Sequence, residues 1–368
     1  MAPLARLNIV SIVSIILSGS ITHADSSLQA SVERRITVNE NKTVFTLFCM
    51  LNLGGYDEEN NPAGMHPVRV RVRQQLTREV PPDLAKRIGD FYRLHKGATP
   101  EQYSVVAMST SGPPDFQFTS AEWPEVRKDA SFGSLEGLST LLRELYAGAH
   151  IENIYAGVES DYREYIEAYR AAIVTQVSKV MAFCKVSTLG NVAGENVQRT
   201  VVIPNLLESF DRSFGFVLSN TLDSVDGPHE KIGFNPHEFV HSITSSISYD
   251  PQYKTLQEPA GPLYDLAKTI PDIGDVESLQ NFLDENLVRA ISLKYRDNGE
   301  PARSLHLHEM MMQEYRSGYV LERFFYDQLA EYEKSGLPLA AYYPTMLKRL
   351  DLKYELERWK QAGKLTSK

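Results

Sequence analysis

The stretch FNPHEFVHSIT, Phe234 to Thr244, sets two histidines four residues apart with an acid directly after the first. On a helix such residues lie on one face, one turn above each other, so His237 and His241 can aim two imidazoles at one cation. Zinc takes imidazole nitrogen readily, and a catalytic zinc uses three protein ligands while keeping a further position for water. Glu238, one residue round the helix, falls beside that water rather than on the metal, which is the place of a general base. Asn235 is a good N-cap and Pro236 a good first helical residue, so a helix starting here is independently favoured. Phe239, Val240 and Ile243 give it apolar faces to bury. The plainer alternative is two histidines and an acid on an exposed helix end.

A third ligand is needed. No histidine lies between Ser242 and Tyr249, which removes the extended three-histidine pattern and leaves a carboxylate from further along. Glu285 in DENLVRAI, 44 residues past His241, is the best placed. It sits mid-helix in a partly apolar row, where a bare carboxylate is costly unless paired. Arg289, at i+4, can pair with it and orient it. Rivals are Glu258 in LQEPAG, Glu277 and Asp284 near Glu285 at other helix angles, and the pair His306 and His308 on a strand-like piece. An electrophile for the developing oxyanion is also required. Tyr319 is chosen for it over Tyr315, His306 and His308. His66, His95, His150 and His229 have no partner at ligand spacing and read as structural.

The elements that must position these groups come from the rest of the chain. It has 368 residues, 42% hydrophobic and 23% charged, enough for one large domain or two average ones. A net charge of −9 argues against a nucleic-acid partner. The densest basic cluster, Arg69, Arg71 and Arg73, reads as a solvated face. RRITVNE, KTVFTLFCML, QRTVVIPNLL and SFGFVLSNTL are β-rich and read as strands. LNLGGYDEENNPAG and SVDGPHEKIGFN read as loops. Helical periodicity marks PPDLAKRIGDFYRLHKG, the segments from Ser134 and Ser160, VESLQNFLDENLVRAISLKY and HEMMMQEYRSGYVLERFFYDQLAEYEKSG. The expected fold is therefore α+β and helix-rich. Its short strands precede the HEFVH helix, and its C-terminal part is helical. The expected division is a signal peptide over 1–24, an N-terminal α+β region over 25–195 and a catalytic region over 196–368, the last two counting as one domain if no linker separates them.

The first residues address the protein. Arg6, the short apolar run from Leu7 and Thr22-His23-Ala24 read as a secretory signal cut after Ala24, giving a periplasmic or secreted protein. No other segment is apolar enough to cross a bilayer. Export would allow Cys49 and Cys184 to pair, yet both lie in apolar surroundings that suit buried thiols.

HEFVH with a distant helical Glu resembles the gluzincin-like zincin metallopeptidases. The chain is more closely similar to a family of secreted bacterial HExxH proteins of unknown function, through LNLGGYDEENNPAGMHPVR, VIPNLL, HEFVHS, DENLVRAI and GYVLERFFYDQLAEYE. The resemblance implies a zincin-like core, Zn2+ held by His237, His241 and Glu285, and Glu238 as acid/base. It departs from the gluzincin pattern in the longer gap before Glu285 and in Asp284 as the preceding residue. The expected function is a secreted zinc-dependent hydrolase acting on peptide or protein. The alternative is a non-catalytic binding protein whose structural zinc is closed by four ligands, one of them His306 or His308.

Overall fold

The computed structural model describes residues 36–56, 65–121, 123–186, 191–192, 195–196, 199–210, 212–218, 220–229, 237–270, 273, 276–296 and 301–365. For 191–192, 195–196, Glu238, Arg296, 301–307 and 362–365 it describes the backbone only. The expected signal peptide, the Asn235-Pro236 start and the DEENNPAG stretch lie outside the described residues.

A four-stranded mixed sheet lies at the centre, in the order β1 (Ile36–Val38), β2 (Arg199–Pro204), β4 (Thr221–Asp226), β3 (Ser213–Leu218). β1, β2 and β4 run parallel, with Val38 opposite Val202 and Val202 opposite Ser224. β3 turns back antiparallel on the β4 edge through Asn220, which takes a left-handed φ of 60° that Asn tolerates better than most residues. Three of the four strands match the β-rich runs. β4 does not, because Ser224 to Asp226 were expected in a loop and instead end this buried strand. Its polar side chains are held internally, Asp226 by Tyr169 Oη at 2.8 Å and Ser224 Oγ at 2.9 Å.

KTVFTLFCML is a helix, not a strand. α1 (Lys42–Gly54) has every residue from Thr43 to Asn52 buried, so no polar stripe reveals its period. Asn41 caps it by accepting from Thr43 N and Val44 N, and Gly55 ends it at φ 100°. Leu51 to Gly54, expected in the following loop, belong to this helix. α2 (Pro67–Glu79), α3 (Pro82–Leu94), α4 (Pro100–Met108) and α5 (Leu138–Gly148) gather around it. Arg69 is not on a solvated face. It is 1% exposed, and its Nε donates to Asn52 Oδ1 at 2.8 Å while the guanidinium lies over Tyr56.

The sheet separates two cores by strand alternation. Val38 and Val202 face α6 (Glu159–Cys184) and the helices α7 (His237–Ser248), α8 (Leu279–Arg296), α10 (Glu322–Ser335) and α11 (Leu339–Lys348). Ile203, Val225 and Phe216 face α1 to α5. The expected boundary at 195/196 is crossed in both directions, since β1 and α6 serve the first core and residues 203–225 the second. α9 (Pro301–Arg316) and α12 (Leu352–Leu365) pack on each other beyond α10. His306 and His308 therefore lie on a helix rather than a strand-like piece. Cys49 and Cys184 are free, buried thiols, one in each core.

Candidate metal centre

α7 and α8 pack closely along their length and set the site between them. α7 buries Phe239, Val240, Ile243 and Ile247, and α8 buries Phe282, Leu283, Leu287, Val288 and Ile291. These two apolar stripes fix the rotation of each helix about its axis. The faces left over bring His237 and His241 on α7 opposite Glu285 on α8. A short antiparallel ribbon, Asn191–Val192 with Glu195–Asn196, runs beside α7.

Two ring nitrogens and one carboxylate converge. His237 Nε2 and His241 Nε2 are 3.3 Å apart, His241 Nε2 is 3.2 Å from Glu285 Oε1, and His237 Nε2 is 3.7 Å from Glu285 Oε2. Metal bonds of about 2.0–2.2 Å meeting at tetrahedral angles would space ligand atoms about 3.3–3.6 Å apart. The observed separations of 3.2–3.7 Å, the two to Glu285 reaching different carboxylate oxygens, lie close to that spacing. Glu285 Oε2 is buried and accepts no hydrogen bond among the described residues, the cationic Arg289 Nη2 standing 3.5 Å away, and a cation suits such an oxygen. The imidazole and carboxylate donor set thus fits a divalent ion.

Behind this triangle, a second row orients it. His241 Nδ1 lies 2.8 Å from Asp284 Oδ2, an oxygen that also accepts from Ser245 Oγ at 2.8 Å. Asp284 and Ser245 are 1% and 2% exposed. A proton on Nδ1 given to Asp284 leaves the Nε2 lone pair facing the triangle, the tautomer a metal needs. Asp284, considered from sequence only as a rival ligand, instead stands behind the cluster and holds the His241 ring. The signal available was its position beside Glu285 on the helix that faces His241. Arg289 meets the expectation for it. Its Nη2 is 3.5 Å from Glu285 Oε2, its Nη1 donates to Glu314 Oε2 at 2.8 Å, and the guanidinium stacks 3.6 Å above the Tyr319 ring.

Without an ion the cluster is a proton-sharing network. Burial pushes the His241 imidazole down, but the Glu285 charge and hydrogen bonds to Asp284 and Glu285 outweigh this and hold it well above its ordinary value. Burial likewise pushes Glu285 up, and His241, then His237 and Arg289, pull it far below the usual carboxylate range.

Other candidates fall elsewhere. Glu258 is exposed, and neither it nor Glu277 joins the cluster. His308 is exposed and lines a separate cavity, and the His306 and Glu238 side chains lie outside the described atoms. The segment expected as one helix from His308 to Gly336 is two, with Tyr315 at the end of α9 and Tyr319 in the link to α10. Tyr319 Oη donates to the Ile273 carbonyl at 2.8 Å, and Tyr315 Oη accepts from Arg358 Nε at 3.1 Å. His66 caps α2 and His95 Nδ1 lies 2.8 Å from the Phe91 carbonyl at the end of α3, both structural. No family model, curated protein or solved structure matches the chain.

Proposed function

We propose that the chain is a secreted zinc-dependent hydrolase acting on peptide or protein substrates. The observation that carries this reading is the cluster of His237, His241 and Glu285, with donor atoms 3.2–3.7 Å apart, backed by Asp284 on His241 Nδ1. A zinc ion bound there would supply a Lewis acid for a carbonyl and activation of water. The chain's own groups divide the remaining work. His237 Nε2, His241 Nε2 and Glu285 hold the ion, and Asp284 keeps His241 in the ligating tautomer. The carboxylate of Glu238 takes the proton from the attacking water and returns it to the leaving nitrogen. Its place in the first turn of α7, directly after His237, supports that role. The zincin-like core of the resemblance is part of this proposal, supported by strands that precede the HEFVH helix.

Three ligands rather than four favour the catalytic reading over the structural one. A closed structural site needs a fourth protein donor, and the cluster among the described residues has three. His308, one of the two histidines named for that place, faces a different cavity.

Glu238→Gln tests the assignment. The variant should bind zinc as the wild type does and lose about 10²–10⁴-fold in turnover on a peptide substrate panel, the typical worth of a positioned acid/base. Wild-type turnover in the variant would remove Glu238 from the chemistry.

A further inference from the structure

A cavity of about 280 Å³ opens between α9, α10 and α12, separate from the metal centre. That is near the lower end for a small-molecule site, room for a ligand of modest size. Its floor is buried Met311 and Tyr315, with Met312 beside them, and the ring of Tyr354 stands 57% exposed at its rim. Two guanidiniums reach into this apolar setting from different helices. Arg323 on α10 places Nε 3.1 Å from Asp327 Oδ1, and Arg358 on α12 places Nη1 3.2 Å from Asp327 Oδ2.

One carboxylate therefore bridges two cations. The next acid in reach, Glu355, lies 3.3 Å from Arg358 Nε. Burial pushes its carboxyl up to about 7, with Arg358 opposing and Asp327 and Asp351 reinforcing the shift. Near neutral pH it supplies only part of a second negative charge, so positive charge is left in surplus. Arg358 Nη2 is buried and has no hydrogen-bond partner among the described residues. Arginine's planar fork suits a carboxylate, and a cation beside an aromatic face and methionine sulfur suits an apolar body attached to it.

We propose that this cavity binds a small amphipathic carboxylate, its head on Arg358 and Arg323 and its apolar body against Met311, Met312 and Tyr354. The site does not rest on the metal reading; α9, whose Glu314 pairs with Arg289, and α10, which packs on α8, connect the two regions.

The test is calorimetric titration of the full chain with 3-phenylpropionate, in EDTA so that carboxylate held by metal does not contribute. Saturable one-to-one binding is expected, at least about ten-fold weaker for the neutral 3-phenylpropanamide and for the Arg358→Gln chain. Because Arg358 also anchors α12 to Tyr315, Met312→Trp is the second variant. It fills the cavity, leaves the ion pairs in place and should abolish binding. The proposal is overturned by absence of saturation up to about 10 mM, by equal affinity for acid and amide, by competition from inorganic phosphate at equal concentration, or by unchanged binding in Met312→Trp.

Discussion

Asp284 Oδ2 serves two donors at once, His241 Nδ1 and Ser245 Oγ. Ser245 lies one turn beyond His241 on α7, so the helix that carries the ligand also holds the acid that orients it. Removing either second-row group leaves the triangle intact but frees the His241 ring to change tautomer. Ser245→Ala and Asp284→Asn should therefore each weaken zinc affinity by about 10–100-fold, with Asp284→Asn the larger loss, read by competition with a chromophoric chelator. Acidity acts on the same atoms. The metal-free site holds His241 charged well above its ordinary range, so an incoming ion must displace that proton. Affinity then rises as pH rises and falls on acidification, by about ten-fold per unit for each proton displaced. The same competition run at two pH values gives the slope, and a flat response would mean that His241 is not a ligand.

At the scale of elements, what could be read in advance depended on whether a segment shows one face or all faces to the core. α3 and α6 alternate buried and exposed residues at helical period, α8 keeps half-buried Asn281, Glu285 and Arg289 on one face of an otherwise buried helix, and all three matched expectation. α1 is buried all round, so its β-branched and aromatic content suggested a strand although Asn41 and Gly55 mark a helix at both ends. Asn41→Ala should cost about 1 kcal/mol in urea unfolding and leave metal affinity unchanged, because α1 lies in the other core. β4 was hidden for the opposite reason: Asp223, Ser224 and Asp226 look like turn residues, and only strand pairing and Tyr169 make their burial tolerable. At the site, His237, His241 and Glu285 were legible because ligand spacing and helix period are local or depend on one helix pair. Asp284's true role was not, since it depends on the rotation of α8 against α7, which is set by tertiary packing. Tyr319 fits the oxyanion role poorly, as its hydroxyl is committed to Ile273.

Across the whole molecule, the small sheet is where the N-terminal part of the chain meets its middle. β1 comes from the N-terminal part, yet it pairs with β2 and packs against the core that supports α7 and α8. The candidate metal centre is thus held by a core built from both halves, which fixes the crossing of its two helices. The claim that one ion is shared by residues 44 positions apart is tested most directly by zinc stoichiometry and affinity in wild type and Glu285→Ala, with circular dichroism to establish that both are folded. The expected result is one zinc per wild-type chain, and affinity lowered by at least about 100-fold in a folded Glu285→Ala. A folded Glu285→Ala that binds one zinc with wild-type affinity would contradict the account.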